Sequence, residues 1–107
     1  MTEYIVIFTT LPNAEHAENL AQSLVENRLV ACVNILPQMS SIYRWQGKLE
    51  KGQEHLLIVK TRQARCDEVI EAIRSQHPYE LAEIIALPIA AGLPGYLSWI
   101  DECTAEQ

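Results

Sequence analysis

Any site in this 107-residue chain has to be built from three histidines, three cysteines and a few closely spaced carboxylates. His77 stands directly ahead of Pro78, with Glu80 and Glu83 shortly after it. An imidazole beside two carboxylates makes a weak nitrogen-and-oxygen cation site. The same histidine at a helix end also serves as a C-terminal cap facing the helix dipole. His16, near the start of a helical stretch, and His55, opening a strand, have no partner at ligand spacing. Cys32, Cys66 and Cys103 are too far apart for a zinc knuckle or a thioredoxin-type pair. Cys32 and Cys66 fall at apolar pattern positions and read as buried thiols, whereas Cys103 reads as exposed. Tyr43, Trp45 and Trp99 with Lys60 have the composition of a small-molecule cleft, and equally that of packing anchors between subunits. No Ser-His-Asp or Cys-His arrangement stands out. Gly92-Leu93-Pro94-Gly95 lacks the spacing of a phosphate-binding loop. The expectation is a binding protein without catalysis.

Charge narrows the partners. Eight Lys and Arg face fourteen Asp and Glu, for a net charge of −6. The basic residues are scattered, with no stripe to follow a phosphate backbone, so nucleic acid is not an expected partner. No apolar run approaches the roughly 18 residues of a membrane span. Met1-Thr2-Glu3-Tyr4 leads straight into a strand pattern without the basic region or cleavage site of a secretory signal, which makes the expected location cytoplasmic.

The positioning elements follow from periodicity. Tyr4 to Thr10 is a β-branched and aromatic run, the pattern of a strand buried on both faces. Asn13 is a good N-cap for a helix whose stripe is Ala17, Leu20, Ala21, Leu24 and Val25, ending near Asn27 or Arg28. Leu29 to Leu36 reads as a second strand closed by Pro37. Ser40–Trp45 and Lys48–Lys51 flank a Gln46-Gly47 hairpin turn. Gly52-Gln53 reads as a bulge or bend before the strand resumes from Glu54 to Thr61. Cys66, Val69, Ile70 and Ile73 mark a second helix that His77-Pro78 ends. Glu83 to Pro88 is the last strand, and Tyr96 to Glu102 a short terminal helix.

The order β-α-β-β-α-β in a chain of one-domain size is the α+β, ferredoxin-like split β-α-β arrangement, with an extended central hairpin and a helix appended. Two helices cover one sheet face, yet the first, second and third strands carry apolar side chains on both. About ten such residues left in water would cost roughly 1.5–3 kcal/mol each, comparable to the stability of a whole domain. No remaining segment is long enough to cover that face, so a second copy of the sheet is expected there and the protein is expected to be a homo-oligomer.

Four stretches together carry a family resemblance. They are Leu29-Val30-Ala31-Cys32-Val33-Asn34-Ile35, Ser41-Ile42-Tyr43-Arg44-Trp45-Gln46-Gly47-Lys48, His77-Pro78-Tyr79-Glu80, and Glu83-Ile84 through Leu87-Pro88-Ile89 with Gly92 and Tyr96-Leu97-Ser98-Trp99-Ile100. In order and spacing the chain resembles the CutA family of divalent-cation-tolerance proteins over essentially its whole length. The resemblance implies a tight homotrimer with inter-subunit pairing of the long hairpin strands. It also implies an architectural kinship with the PII signalling proteins and a link to tolerance of copper and other divalent metals. In the family's copper-binding form the ligands are a cysteine ending the first strand and two adjacent histidines before Pro-Tyr. The matching positions here are Thr9, Gln76 and His77, of which only His77 keeps a ligating side chain, since copper favours imidazole and thiolate. The expected function is a trimeric cation-tolerance protein binding copper or another divalent cation weakly. The alternative is a PII-like sensor that takes a small metabolite, nucleotide or other anion in an inter-subunit cleft drawn from Tyr43, Trp45, Lys60, Glu80, Glu83 and Trp99.

Overall fold

The computed structural model describes residues 3–105. Strand β1 (Tyr4–Leu11) leads to helix α1 (Ala14–Glu26), then β2 (Cys32–Trp45), β3 (Lys48–Arg62), α2 (Cys66–Gln76), β4 (Ile84–Pro88) and α3 (Pro94–Cys103). The four strands form one sheet in the order β2-β3-β1-β4, and every neighbouring pair is antiparallel. This is the expected α+β, ferredoxin-like arrangement. None of the helices is long and apolar enough to cross a membrane among the described residues.

Alternation along β1 decides which side chains meet the helices. Ile5, Ile7 and Leu11 are buried on one face beside Leu57 and Val59 of β3. The apolar stripe of α1 (Ala17, Leu20, Ala21, Leu24) and that of α2 (Val69, Ile73) close over them as a single core. Asn13 caps α1 by accepting from the His16 N–H at 2.9 Å.

The other face carries Val6 and Phe8 of β1, Leu56 and Ile58 of β3, Ile85 and Leu87 of β4, and Leu36 of β2, brought together by register. Leu36, Ile85 and Leu87 remain 52%, 50% and 42% exposed, so within one chain much of this apolar face is uncovered. Helix α3 covers one end of it, which corrects the expectation that no segment could reach. Tyr4 donates to Asp101 at 2.7 Å, and Arg62, its cross-strand partner, donates to the Thr104 hydroxyl at 2.7 Å.

The C-terminus of α3 has no basic residue of its own. Three arginines from elsewhere supply the complement to its dipole. Arg62 and Arg65 donate to the Thr104 carbonyl at 2.7 and 2.9 Å, and Arg28 donates to the Glu102 carbonyl at 2.9 Å. Thr104 is fully buried and donates its hydroxyl to the Ile100 carbonyl at 2.8 Å.

The second strand differs most from expectation. Pro37 does not end it, and β2 begins later and runs much longer than Leu29–Leu36. Pairing passes from Leu36↔Leu56 to Met39↔Glu54, so Pro37 and Gln38 together oppose His55 as a bulge. Gln38 takes a left-handed φ of 55°. A bulge frees Pro37 from supplying a ladder N–H. Gly52 is no bulge: it pairs with Ser41 in an unbroken β3, and His55 therefore lies within a strand instead of opening one. The hairpin turn has both central residues left-handed, Gln46 at 49° and Gly47 at 79°, as a two-residue type I′ connection requires. All three cysteines are half-buried and unpaired, correcting both the buried reading of Cys32 and Cys66 and the exposed reading of Cys103.

Replacing Thr104→Val removes two buried hydrogen bonds from the α3 anchor. The expected cost is about 1–3 kcal/mol of stability, read by denaturant unfolding. A variant as stable as the parent would show that the Thr104 hydroxyl contributes nothing to holding α3.

Candidate functional site

The bulge sets which aromatic residues share a face. Side chains alternate along a strand, so an extra residue switches the parity of everything beyond it. Leu36 stands on the open face before the bulge; Ser41, Tyr43 and Trp45 stand on it afterwards, opposite Gly52, Glu50 and Lys48. Glu54 belongs to the same face through its alternation with Leu56 and Ile58. The segment after α2 carries the chain from the helical side over the end of the sheet to β4, bringing Tyr79, Leu81 and Glu83 beside the hairpin.

These residues enclose an open cleft of about 590 Å³. Its lining includes Thr10, Ser41, Ile42, Tyr43 and Trp45, with Tyr79 and Leu81 from the segment ahead of β4. Glu54 and Glu83 are the charged residues of the lining, and neither has an ion-pair partner among the described residues. Of the residues singled out from sequence, Tyr43, Trp45 and Glu83 come together here. Lys60, Glu80 and Trp99 do not line the cleft. The Lys60 ammonium donates to the Asn34 side chain farther down the open face, Glu80 is exposed, and Trp99 packs against Tyr96 on α3 with ring centroids 5.4 Å apart. Glu54 and Tyr79 escaped sequence reading. Tyr79 sits in the His77-Pro78-Tyr79-Glu80 motif, but its meeting with Glu54 depends on how the segment folds over the sheet end.

A chain of hydrogen bonds fixes that wall. The Tyr79 hydroxyl donates to Glu54 Oε2 at 3.0 Å. Burial, followed by this hydrogen bond and the negative charge of Glu54, pushes the Tyr79 phenol up to about 12, so it stays protonated and donating at neutral pH. The Tyr79 backbone N–H donates to His77 Nδ1 at 3.1 Å. That bond makes Nδ1 an acceptor, so Nε2 carries the hydrogen and donates to the Thr10 carbonyl at 2.7 Å. The His77 and Tyr79 rings also pack with centroids 4.9 Å apart. His77 thus ties the end of α2 to the end of β1 and braces the cleft wall.

Both ring nitrogens of His77 are engaged with backbone. Thr9, at the matching cysteine position, is fully buried on the core face, and its hydroxyl has no hydrogen-bond partner among the described residues. The Gln76 side chain turns back to donate to the Ala72 carbonyl at 3.2 Å. The described residues contain no group of three or more His, Cys, Asp or Glu that could hold a metal ion. Another buried polar atom without a partner is His55 Nδ1.

Burial holds the His77 pKa below its ordinary 6.5, with a smaller push in the same direction from His16; the Thr10 carbonyl and Glu54 act the other way. The folded protein therefore favours neutral imidazole more than the unfolded chain does. That contribution is fully present above about pH 6.5 and is lost as pH falls through the lowered folded value. Thermal melts between pH 5 and 8 should show His77→Gln less stable than the parent at neutral pH, by about 1–3 kcal/mol for two hydrogen bonds. Its loss of stability on acidification should be shallower. Identical slopes for the two proteins would remove His77 from the acid response.

With the geometry in place, relatives give the chain a family. Residues 5–103 match the CutA1 divalent ion tolerance protein family. A protein CutA homolog of Xenopus laevis is 48% identical over 99 residues, covering 92% of this chain and 66% of its own length. The divalent-cation tolerance protein CutA of Thermus thermophilus is also 48% identical over 99 residues, covering 92% of this chain and 96% of its own. The chain spans only 55% of the mouse protein CutA, so the longer animal and plant relatives carry sequence beyond the matched region. Among solved structures, CutA1 from Oryza sativa superposes with a TM-score of 0.94 at 42% identity, covering 99% of this chain and 97% of that one. The match runs through the hairpin, the segment ahead of β4 and the whole of α3, and the chain belongs to the CutA1 divalent ion tolerance family.

Proposed function

We infer that the chain acts in divalent-cation tolerance as a homotrimer without catalysis of its own, its copies meeting over the open face of the sheet. The observation that carries this reading is the row Val6, Phe8, Ile58, Ile85 and Leu87, apolar and only partly covered by α3. Burying each such side chain is worth roughly 1.5–3 kcal/mol, enough in sum to drive association. The number three comes from the family resemblance.

Copper bound through Thr9, Gln76 and His77 finds little support in this chain. Its thiolate is replaced by an enclosed hydroxyl, one imidazole by an amide, and the remaining imidazole bonds backbone through both nitrogens. The carboxylates that do come together are Glu54 and Glu83, two hard oxygen donors suited to weak binding of cations such as magnesium or manganese. A PII-like role with a nucleotide or other anion is disfavoured at this cleft, because no Lys or Arg lines it.

Calorimetric titration of the full chain with copper, zinc and manganese should give weak binding that His77→Ala leaves unchanged. Sub-micromolar copper binding lost in His77→Ala would reverse that assignment. Ile85→Glu, which puts a charge on the open face, should shift the protein to smaller species on size exclusion. A variant eluting with the parent would take Ile85 out of the interface.

A further inference from the structure

We propose that the outer half of the β2–β3 hairpin, residues 39–53, is an arm that fills the cleft of the next copy of the chain, its Arg44 and Lys51 neutralising Glu54 and Glu83 there. The inference rests on the homo-oligomer reading above and adds which surfaces and charges join the copies.

The arm is not a finished structure within one chain. The helix layer reaches only as far out as Ile35 and Leu57, and no residue between them along the hairpin belongs to the core. Beyond the bulge the two strands pair only with each other. A two-stranded ribbon with no third strand or helix against it is marginally stable in water. Alternation gives this ribbon two exposed faces. Tyr43 and Trp45 stand on the cleft side, and Arg44, Leu49 and Lys51 stand on the other. Leu49 is 74% exposed.

Charge identifies the acceptor. Arg28, Lys60, Arg62, Arg65 and Arg74 are each engaged within the chain. Arg44, Lys48 and Lys51 have no hydrogen-bond or ion-pair partner among the described residues. Against the single acid Glu50 they make the arm basic in a protein of net charge −6. The cleft has the opposite need. Glu54 and Glu83 have no ion-pair partner among the described residues, and no Lys, Arg or His belongs to the lining. The cleft stands on the face that other copies cover, and an ionised carboxylate enclosed without a cation is costly. The chain's own arm does not supply that cation. Lys48 lies six positions before Glu54, about 20 Å away along the strand, and Arg44 and Lys51 alternate to the opposite face.

The two surfaces match in kind. Leu49 flanked by Arg44 and Lys51 meets Leu81 and the Tyr79 ring beside Glu54 and Glu83. The giving and receiving surfaces differ, so in a cyclic assembly each copy lends one arm and accepts one. Tyr79 already holds Glu54 at 3.0 Å, which lowers the ordering cost of the contact. A divalent cation must compete with the two bases for the same carboxylates, in keeping with the weak metal binding expected above.

Charge reversal on the full-length chain tests the pairing. Arg44→Glu with Lys51→Glu reverses the arm, and Glu54→Lys with Glu83→Lys reverses the cleft. Sedimentation velocity over a dilution series reads the concentration at which each protein dissociates, and circular dichroism reports its fold. Each double variant should dissociate at a concentration at least tenfold higher than the parent, because like charges then meet in the contact. The chain carrying all four changes should assemble to within a few-fold of the parent, since its arm and cleft are complementary again. If Glu54→Lys with Glu83→Lys loses its fold, Glu83→Lys alone takes its place in the cycle. Double variants that assemble like the parent would leave the cleft to another occupant and overturn the proposal, as would losses that merely add in the quadruple variant. A parent that sediments as single chains contradicts the homo-oligomer reading itself, whereas a parent oligomer unmoved by either reversal contradicts the arm alone.

Discussion

A four-stranded sheet with apolar side chains on both faces, served by a single layer of helices, is the constraint behind the rest of this structure. Helices α1 and α2 bury Ile5, Ile7, Leu57 and Val59 on one side. The opposite face receives only α3, drawn over one end by arginines that grip its C-terminal carbonyls. What remains is a strip of Val, Phe, Ile and Leu side chains in register across three strands. Exposed to water, such a strip costs several kcal/mol against a net stability that is itself only about 5–15 kcal/mol.

The bulge at Pro37 and Gln38 connects this constraint to the cleft. With strict alternation from Leu36, Ile42 and Arg44 would share its face; the extra residue places Tyr43 and Trp45 there instead. Two residues that look like breakers in sequence thus do not break the strand. They rotate the far half of the hairpin so that its aromatic rings stand over Glu54 and beside Tyr79. His77 completes the wall from the other side. Its value to the protein, on this geometry, is as a brace between two chain segments, which explains how a metal-linked position can keep its imidazole without keeping the other ligands.

Much of this was legible from one-dimensional pattern. The run Tyr4 to Thr10, the stripe from Ala17 to Val25, the Gln46-Gly47 turn and the stop at His77-Pro78 each have a local physical cause, and each element formed as that cause requires. The errors arose where pairing overrides local preference. Pro37 reads as a terminator until the bulge opposite His55 removes the need for its N–H, and Gly52 reads as a bulge until its partner Ser41 is known. Part of the cleft, in Tyr43, Trp45 and Glu83, was visible as a chemical type. Glu54 was not, because its facing depends on register, and Lys60, Glu80 and Trp99 were grouped by composition although the fold disperses them.

The central claim is that the open face is buried by further copies of the same chain. Sedimentation velocity on a dilution series from micromolar to nanomolar, with circular dichroism on the same samples, addresses it most directly. The account predicts one species of three times the 12.1 kDa chain mass, with folded signal lost only where that species dissociates. Single chains that stay fully folded throughout the series would contradict it.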